Sequence, residues 1–366
     1  MGYALNWLIG HRRKPSTLAV YRSRMELFID FCVLHLLLLP DPYDPVRIRL
    51  LPSVTPIIMS YYVTWLWRAT YAWNTIAGAT TSLRQWCLDQ GRPDPILTPG
   101  TDDPDPLYYA ARISVKRHSD APKLRYPITV VMMDDLDTTF SSCTLHSEQL
   151  SDNLLAASML LFFAMLRVGE CTSPTASTFN PAIHATRSDI TFMPTLEKPD
   201  YFIFRCKATK TGAGVRRGFE VKVFNSSRLK PVDAMRKLFL SQPRTPTSPL
   251  FDFRSDSDRA ANKPVHASRA AFWSFTSTAL RRNGHNDRSA EGNITCHSFR
   301  SGGATALADT PGMTDLRIMQ AGRWLSSCWK VYAWGPLASA QEISEALGAA
   351  PRRAGDRWGF QPPLGA

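Results

Sequence analysis

The chain has 366 residues, 44% of them hydrophobic, and its 43 Lys and Arg against 31 Asp and Glu leave a formal net charge of +12. Such a length predicts two domains, and such a charge predicts a polyanionic partner whose binding weakens with salt. The longest apolar run, residues 154–166, is too short to span a bilayer, and the seven cysteines form no CxxC pair and no Cys/His set with metal-ligand spacing, so we expect no membrane association, no metal centre, and free thiols in a reducing intracellular compartment.

Residues 1–118 are predicted to form a helical domain. Behind a Ser/Thr cap, apolar residues recur at helical spacing from Ser16 to about Leu39. A proline-rich stretch then interrupts this pattern. Further helices are predicted at 57–71, 73–90 and 106–117.

A short basic linker, residues 119–128, is predicted to follow. Its prolines oppose helix formation and keep the chain extended. Four basic residues within it or just before it are expected to contact a polyanion: Lys116, Arg117, Lys123 and Arg125. An ordinary solvated loop between domains is the alternative interpretation.

Residues 129–335 are predicted to form a second, mixed domain. Helices are expected at 129–139, 149–167, 231–241 and 266–283, around a β-rich region at 188–225. This order indicates a mainly α fold with a small antiparallel β-sheet. Arg281 and Arg282 are candidates for phosphate contacts, with ordinary solvated surface as the alternative. Residues 336–366 are predicted to form a short helix and a tail.

Three short strings in the second domain contain residue types suited to phosphate chemistry. They are AlaMetLeuArgValGlyGlu (164–170), ThrCysHisSerPheArgSerGlyGlyAlaThr (295–305) and AlaGlyArgTrpLeuSerSerCysTrpLysValTyr (321–332). Cleaving a phosphodiester without a metal requires charged donors on the non-bridging oxygens, and a guanidinium offers a planar fork that matches them. Arg167 and Arg300 are the candidates for that role.

Tyr332 is the candidate nucleophile. Because the pKa of a free tyrosine is about 10, the site must accept its proton or stabilise its developing charge. His297 lies three residues before Arg300, so the two side chains would share one face of a helix, and the imidazole is a candidate to assist.

Glu170 follows Arg167 by three residues and is predicted to orient it through an ion pair. A plain carboxylate at a helix end is the alternative interpretation. Arg167 also ends the apolar run of the predicted helix 149–167, where a cation would favour the negative end of the helix dipole.

Taken together and in this order, the strings resemble those of tyrosine recombinases, the integrase family that cuts and rejoins DNA. Tyr332 follows Trp324 by eight residues (332 − 324). This separation resembles that in the branch of the family found in eukaryotic mobile elements of the DIRS and Crypton kinds. The resemblance implies that Trp324 donates a hydrogen bond to a phosphate oxygen or packs the site. It also implies a lysine on a β-hairpin that protonates the leaving 5′ oxygen; Lys210, in ThrLysThrGly, matches that position best, and Lys207 is the alternative.

The resemblance further implies how the chain acts. A helical core-binding domain and a mixed α+β catalytic domain would grip double-stranded DNA, and a covalent 3′-phosphotyrosyl link would form without a metal, ATP or another cofactor. Gly302 and Gly303 would let backbone or DNA come close. A dimer on one site, a tetramer in synapsis, and a location with DNA, in the nucleus if the source is eukaryotic, are implied too. A catalytically silent DNA-binding relative and a type IB topoisomerase remain as alternatives.

Overall fold

A computed structural model describes residues 15–40, 49–119, 124–175, 177–207, 218–285, 292–310, 312–324, 326 and 330 of the chain. The chain divides into two compact units, Met1–Pro122 and Lys123–Ala366. Helices dominate both units, and the second also holds a small antiparallel sheet, so the predicted fold class is confirmed. None of the helices in these ranges combines the length and the apolar character that crossing a bilayer requires.

The described part of the first unit contains four helices. Its elements are α1 (Pro15–Leu34), the antiparallel pair β1 (Leu39–Pro40) and β2 (Arg49–Leu50), α2 (Pro56–Arg68), α3 (Trp73–Asp89) and α4 (Pro106–His118). Local sequence signals start two of them. Both α2 and α4 begin with a proline, and the side chains of Thr55 and Asp105 accept hydrogen bonds from backbone N–H groups of the first turn.

The core of the first unit is aromatic. Phe28 and Phe31 of α1 contact Tyr62 of α2, with ring centroids 5.2 and 5.3 Å apart, and all three side chains are buried. Edge-to-face and tilted ring contacts of this kind add to the free energy gained by burying the rings. They join the first two helices of the unit.

α1 is shorter than the sequence predicts. It ends at Leu34 rather than near Leu39, because Leu36 adopts a left-handed φ of 56°. The backbone N–H of Leu37 then donates to the carbonyl of Cys32 at 2.9 Å, a six-to-one bond that closes the helix end.

The second unit is built around a buried helix, α6. The helices of this unit are α5 (Val130–Ser141), α6 (Glu148–Phe163), α7 (Pro231–Ser241), α8 (Asp256–Ala260), α9 (Arg269–Arg282), α10 (Ser298–Ala308) and α11 (Asp315–Gly322). Residues 150–162 of α6 are buried on every side of the helix, as expected from its apolar composition. Contacts with α5, α7 and α10 surround it, so neighbouring helices hold the position of its C-terminal end.

A three-stranded antiparallel sheet completes the second unit. Its strands are β4 (Ile190–Pro194), β5 (Pro199–Cys206) and β6 (Phe219–Phe224), with β5 in the centre. Along β5, Phe202, Phe204 and Cys206 are buried and alternate with more exposed residues, so one face of the sheet packs on the core. A second, parallel pair joins β3 (Leu124–Arg125) to β7 (Gly292–Asn293).

The predicted helix 149–167 ends early, at Phe163, and Met165 has a φ of 43°. The backbone carbonyls of Ala164 and Met165 accept hydrogen bonds from arginine side chains that come much later in the chain, which satisfies these groups outside the helix. Arg167 therefore follows α6 in an extended conformation. The interpretation of Arg167 as a cation in the last turn of this helix is wrong.

Candidate functional site

The turn after α6 holds Arg167 in a defined position. Arg167 precedes a single 3-10 turn, Val168–Glu170, and its backbone N–H donates to Glu170 Oε2 at 2.9 Å. Its Nη1 also donates to Glu170 Oε1 at 3.2 Å. The Glu170 side chain is 5% exposed and that of Arg167 is 33% exposed. A buried carboxylate thus fixes one side of a guanidinium that is partly open to solvent.

Arg300, in the first turn of α10, is almost completely buried, with 1% exposure. Its Nη1 donates to the carbonyl of Met165 at 2.5 Å, and its Nη2 donates to the carbonyl of Gly322 at 2.7 Å. The guanidinium therefore joins the turn that carries Arg167 to the end of α11. All three strings found in the sequence meet at this one side chain.

Trp324 covers the guanidinium of Arg300. The indole ring lies 4.5 Å from the guanidinium carbon, a cation–π distance, and the side chain is 8% exposed. Trp324 belongs to a small apolar cluster with the buried residues Met165, Ala304 and Ile318. This geometry corresponds to the packing alternative for Trp324, and its hydrogen bond to a phosphate oxygen remains a prediction.

Two glycines of α10 allow the helix to approach the backbone of two other segments closely. A Cβ at Gly302 would overlap the carbonyl oxygen of Ile128, and a Cβ at Gly303 would lie 2.5 Å from the carbonyl oxygen of Phe162. The sequence left open whether protein backbone or DNA lies close to these two glycines. In the structure, backbone carbonyl groups lie there.

We expect Gly302→Ala to lower the free energy of unfolding by about 3 kcal/mol, because the added methyl group overpacks a backbone contact that no side-chain rotation can relieve. Denaturant unfolding followed by circular dichroism measures this. Gly169→Ala is the matched control, since no described atom lies within 4 Å of a Cβ there. Equal unfolding midpoints for the two variants would contradict the close-approach argument.

Arg323 is a functional candidate that the sequence argument missed. It ends α11 with a left-handed φ of 57°, and its guanidinium donates to the carbonyls of Ala164 and Met165 at 2.9 and 3.0 Å. Glu170 Oε2 lies 3.9 Å away. Burial lowers the pKa of Arg323, and the Glu170 carboxylate partly offsets this. Arg323 thus braces the turn of Arg167. Its position beside Trp324 in the third string was the available signal.

His297 occupies the position just before α10, one turn ahead of Arg300. Its carbonyl accepts the backbone N–H of Ser301 at 3.2 Å, and its own N–H donates to Thr295 Oγ1 at 3.2 Å. The side chain is half-buried. The backbone therefore carries the imidazole on the same helix start as the buried arginine, while its catalytic role remains a prediction.

Of the two lysine candidates for the general acid, the structure describes only Lys207. Lys207, at the end of β5, is held by four groups. Its Nζ lies 2.8 Å from each of Asp189 Oδ2, Thr186 Oγ1 and the carbonyl oxygen of Pro181, and 3.3 Å from the carbonyl oxygen of His184. An ammonium with these partners has a structural role in joining β5 to the turn before β4. Lys210 and Tyr332 lie outside the described residues.

The candidate DNA-contacting residues lie in both units, each considered separately. Lys116 and Arg117 are exposed in the last turn of α4 in the first unit. In the second unit the exposed candidates are Arg125, Arg281 and Arg282, the last two in the last turn of α9. Lys123 lies outside the described residues. Their contact with DNA remains a prediction.

No family model matches this chain, and no curated protein matches its sequence. Solved structures do match. XerH site-specific recombinase bound to palindromic difH substrate, in a post-cleavage complex, superimposes with a TM-score of 0.55 at 11% identity, covering 91% of this chain and 79% of the other. The Tn1549 transposon integrase in complex with transposon right end DNA gives 0.53 at 15% identity, covering 94% and 99%. A lambda integrase dimer bound to a COC′ core site gives 0.52 at 13% identity, covering 90% and 77%. The chain has the fold of the tyrosine recombinases and integrases, as the resemblance predicted.

Proposed function

We propose that this chain is a site-specific DNA recombinase or integrase that breaks and rejoins DNA through a covalent 3′-phosphotyrosyl intermediate, with Tyr332 as nucleophile. The observation that carries the proposal is the meeting of three distant strings at one point. Arg300 donates to the carbonyl of Met165, two residues before Arg167, and lies under the ring of Trp324. Residues suited to phosphate binding therefore lie close together in a chain that has the recombinase fold.

The proposed chemistry follows from these groups. The oxygen of Tyr332 attacks the phosphorus and gives up its proton to His297, the bond to the 5′ oxygen breaks, and Lys210 gives that oxygen a proton. The guanidinium groups of Arg167 and Arg300 stabilise the charge on the non-bridging oxygens, with His297 assisting at the same helix start. One phosphoester replaces another, so the step needs no external energy source.

The partner is double-stranded DNA. Basic side chains that are exposed in each unit support this, as does the formal charge of +12. The solved structures of similar fold include complexes with DNA, and the lambda integrase is a dimer on its core site. We extend this to the present chain as a dimer on one site and a tetramer in synapsis.

The domain assignment is part of the proposal. Residues 1–118 would be the core-binding domain, 119–128 the linker along the DNA backbone, 129–335 the catalytic domain, and 336–366 a C-terminal helix and tail. Exposed Lys116 and Arg117 precede the assigned linker, exposed Arg125 lies within it, and all three support its contact with phosphates.

A library of nicked duplexes with random sequence tests the function. The full chain is incubated with the library in EDTA without nucleotide, denatured, and recovered with any DNA that stays attached. We expect covalent adducts on a 3′ phosphate with a free 5′-hydroxyl, and sequencing of the attached DNA identifies the target. Binding that weakens with salt but leaves no adduct after denaturation would instead identify a catalytically silent DNA-binding protein.

The choice between the two lysines has its own test. If Lys210 is the general acid, Lys210→Ala cleaves slowly on normal DNA and recovers on a substrate whose bridging 5′ oxygen is replaced by sulfur, because a thiolate leaves without a proton. Lys207→Ala is expected to lose stability through its Asp189 ion pair and to show no sulfur rescue. Rescue of Lys207→Ala alone would transfer the role to Lys207.

A further inference from the structure

Four arginines gather around one buried carboxylate in the second unit. Arg244 Nη2, Arg254 Nη2 and Arg259 Nη1 lie 2.7, 2.9 and 2.8 Å from Asp252 Oδ2, and the Asp252 side chain is fully buried. Arg187 also lies close enough to Asp252 and Arg244 to interact with both charges. We call these five residues the arginine cluster. It shares no residue with the site around Arg167 and Arg300.

The arginine cluster carries an excess of positive charge. Four guanidinium groups and one carboxylate give +3, and Asp252 is the one carboxylate that forms ion pairs with these arginines among the described residues. Burial by itself would raise the pKa of Asp252, but hydrogen bonds from Arg254 and Arg244 lower it to about 2, so the carboxylate is ionised. The side chains of Arg244, Arg254 and Arg259 are 13–15% exposed, so each of these three arginines keeps some contact with solvent.

Several buried hydrogen-bond donors in and beside the arginine cluster have no acceptor among the described residues. Arg187 is 4% exposed and packs over the ring of Phe239 at 4.5 Å, yet its Nε and both Nη atoms have no hydrogen-bond partner among the described residues. Arg259 Nε and Nδ1 of neighbouring His266 are buried without a partner in the same part of the chain. Burial, followed by repulsion from Arg244, lowers the pKa of Arg187 to about 10. Unpaired buried charge of this kind is costly unless a counter-charge binds.

We propose that the arginine cluster is an oxyanion-binding site that takes a phosphate group. A phosphate dianion supplies the missing negative charge, and its oxygens suit the planar donor forks of several arginines at once. The Asp252 carboxylate keeps three of the arginines fixed in place, while the buried Arg187 contributes three nitrogens, with five N–H groups, that have no hydrogen-bond partner among the described residues. The phosphate comes either from a DNA backbone or from the free ion. The site goes beyond the proposed strand transfer and does not depend on it.

Thermal unfolding of the full chain tests the site with inorganic phosphate as the probe. Phosphate is titrated against sodium chloride at equal ionic strength and constant pH. We expect a saturable rise in Tm for the wild-type chain. Arg187→Met should need at least about fivefold more phosphate for the same rise, because it loses the five N–H donors of the guanidinium and one charge. Arg228→Met, which removes an exposed arginine paired with Asp134, is the control and should respond as wild type does.

The same Arg187→Met protein distinguishes an anion site from a structural contact. Without phosphate it should be at least as stable as wild type, because methionine replaces an unpaired buried cation with an apolar chain of similar length. A lower Tm in phosphate-free buffer together with an unchanged phosphate response would show that Arg187 only supports the fold, and would overturn the proposal.

The salt dependence of DNA binding identifies the source of the phosphate. If the cluster holds a backbone phosphate, Arg187→Met lowers the slope of log K against log salt by about one, while Arg228→Met does not. An unchanged slope with a lost thermal response identifies the free ion as the ligand. No change in either measurement overturns the proposal.

Discussion

Tyr332→Phe is expected to abolish covalent attachment to DNA while changing DNA affinity by no more than about twofold. The substitution removes the attacking oxygen and keeps the aromatic ring, so the chemistry stops and the binding surface is retained. A nicked duplex that carries the target sequence, analysed on a denaturing gel, measures the adduct. A gel shift under native conditions measures affinity.

Tyr201→Phe is the matched control. Tyr201 lies on β5, where its ring packs against Phe224 with centroids 4.7 Å apart, and we expect this variant to form the adduct at the wild-type rate. An adduct that persists in Tyr332→Phe would assign the nucleophile to another residue. Loss of the adduct in both variants would point to a damaged fold.

Arg167→Lys is expected to reduce the cleavage rate by on the order of a hundredfold. Lysine keeps the charge but cannot reproduce a bidentate fork on the transition-state oxygens. Because the Arg167 side chain is one-third exposed and its backbone N–H bond to Glu170 survives the substitution, we expect little change in Tm. DNA affinity should change less than the rate does.

Arg300→Lys is expected to lose cleavage to a similar extent and stability as well. Arg300 joins the carbonyls of Met165 and Gly322 from a buried position, and one ammonium cannot bridge both with the same geometry. Arg205→Lys, at an exposed residue paired with Glu220 at 3.6 Å, controls for a general effect of replacing an arginine. A near-normal cleavage rate in Arg167→Lys would show that Arg167 acts only as a structural cation.

Several features of this fold were predictable because their causes are local. The starts of α2 and α4 follow from a capping side chain and a proline next to one another in the sequence. The burial of α6 follows from apolar residues on all its sides, and the alternation along β5 follows from its period of two. Each of these signals acts within a few residues, so it can be recognised in the sequence alone.

The candidate site was predictable only as a set of residue types. Arg167, Arg300 and Trp324 stand in strings that can be recognised in the sequence. The hydrogen bonds that Arg300 and Arg323 donate to the carbonyl of Met165, however, join segments more than 130 residues apart. The end of α6 at Phe163 shows the same limit. Local propensity favours continuing that helix, but the carbonyl of Met165, two residues beyond its end, instead accepts hydrogen bonds from the guanidinium groups of Arg300 and Arg323.

The sequence by itself determined the helical character, the small sheet, the net charge of the chain and the residue types of the candidate site. Tertiary structure alone decided which arginines are buried, which lysine pairs with Asp189, and that Arg187 is buried near enough to Asp252 for their charges to interact. The physical reason is that hydrophobic period and capping are short-range properties of the chain. Desolvation and the pairing of buried charges depend on every segment that packs around a group, and those segments come together only in the folded protein.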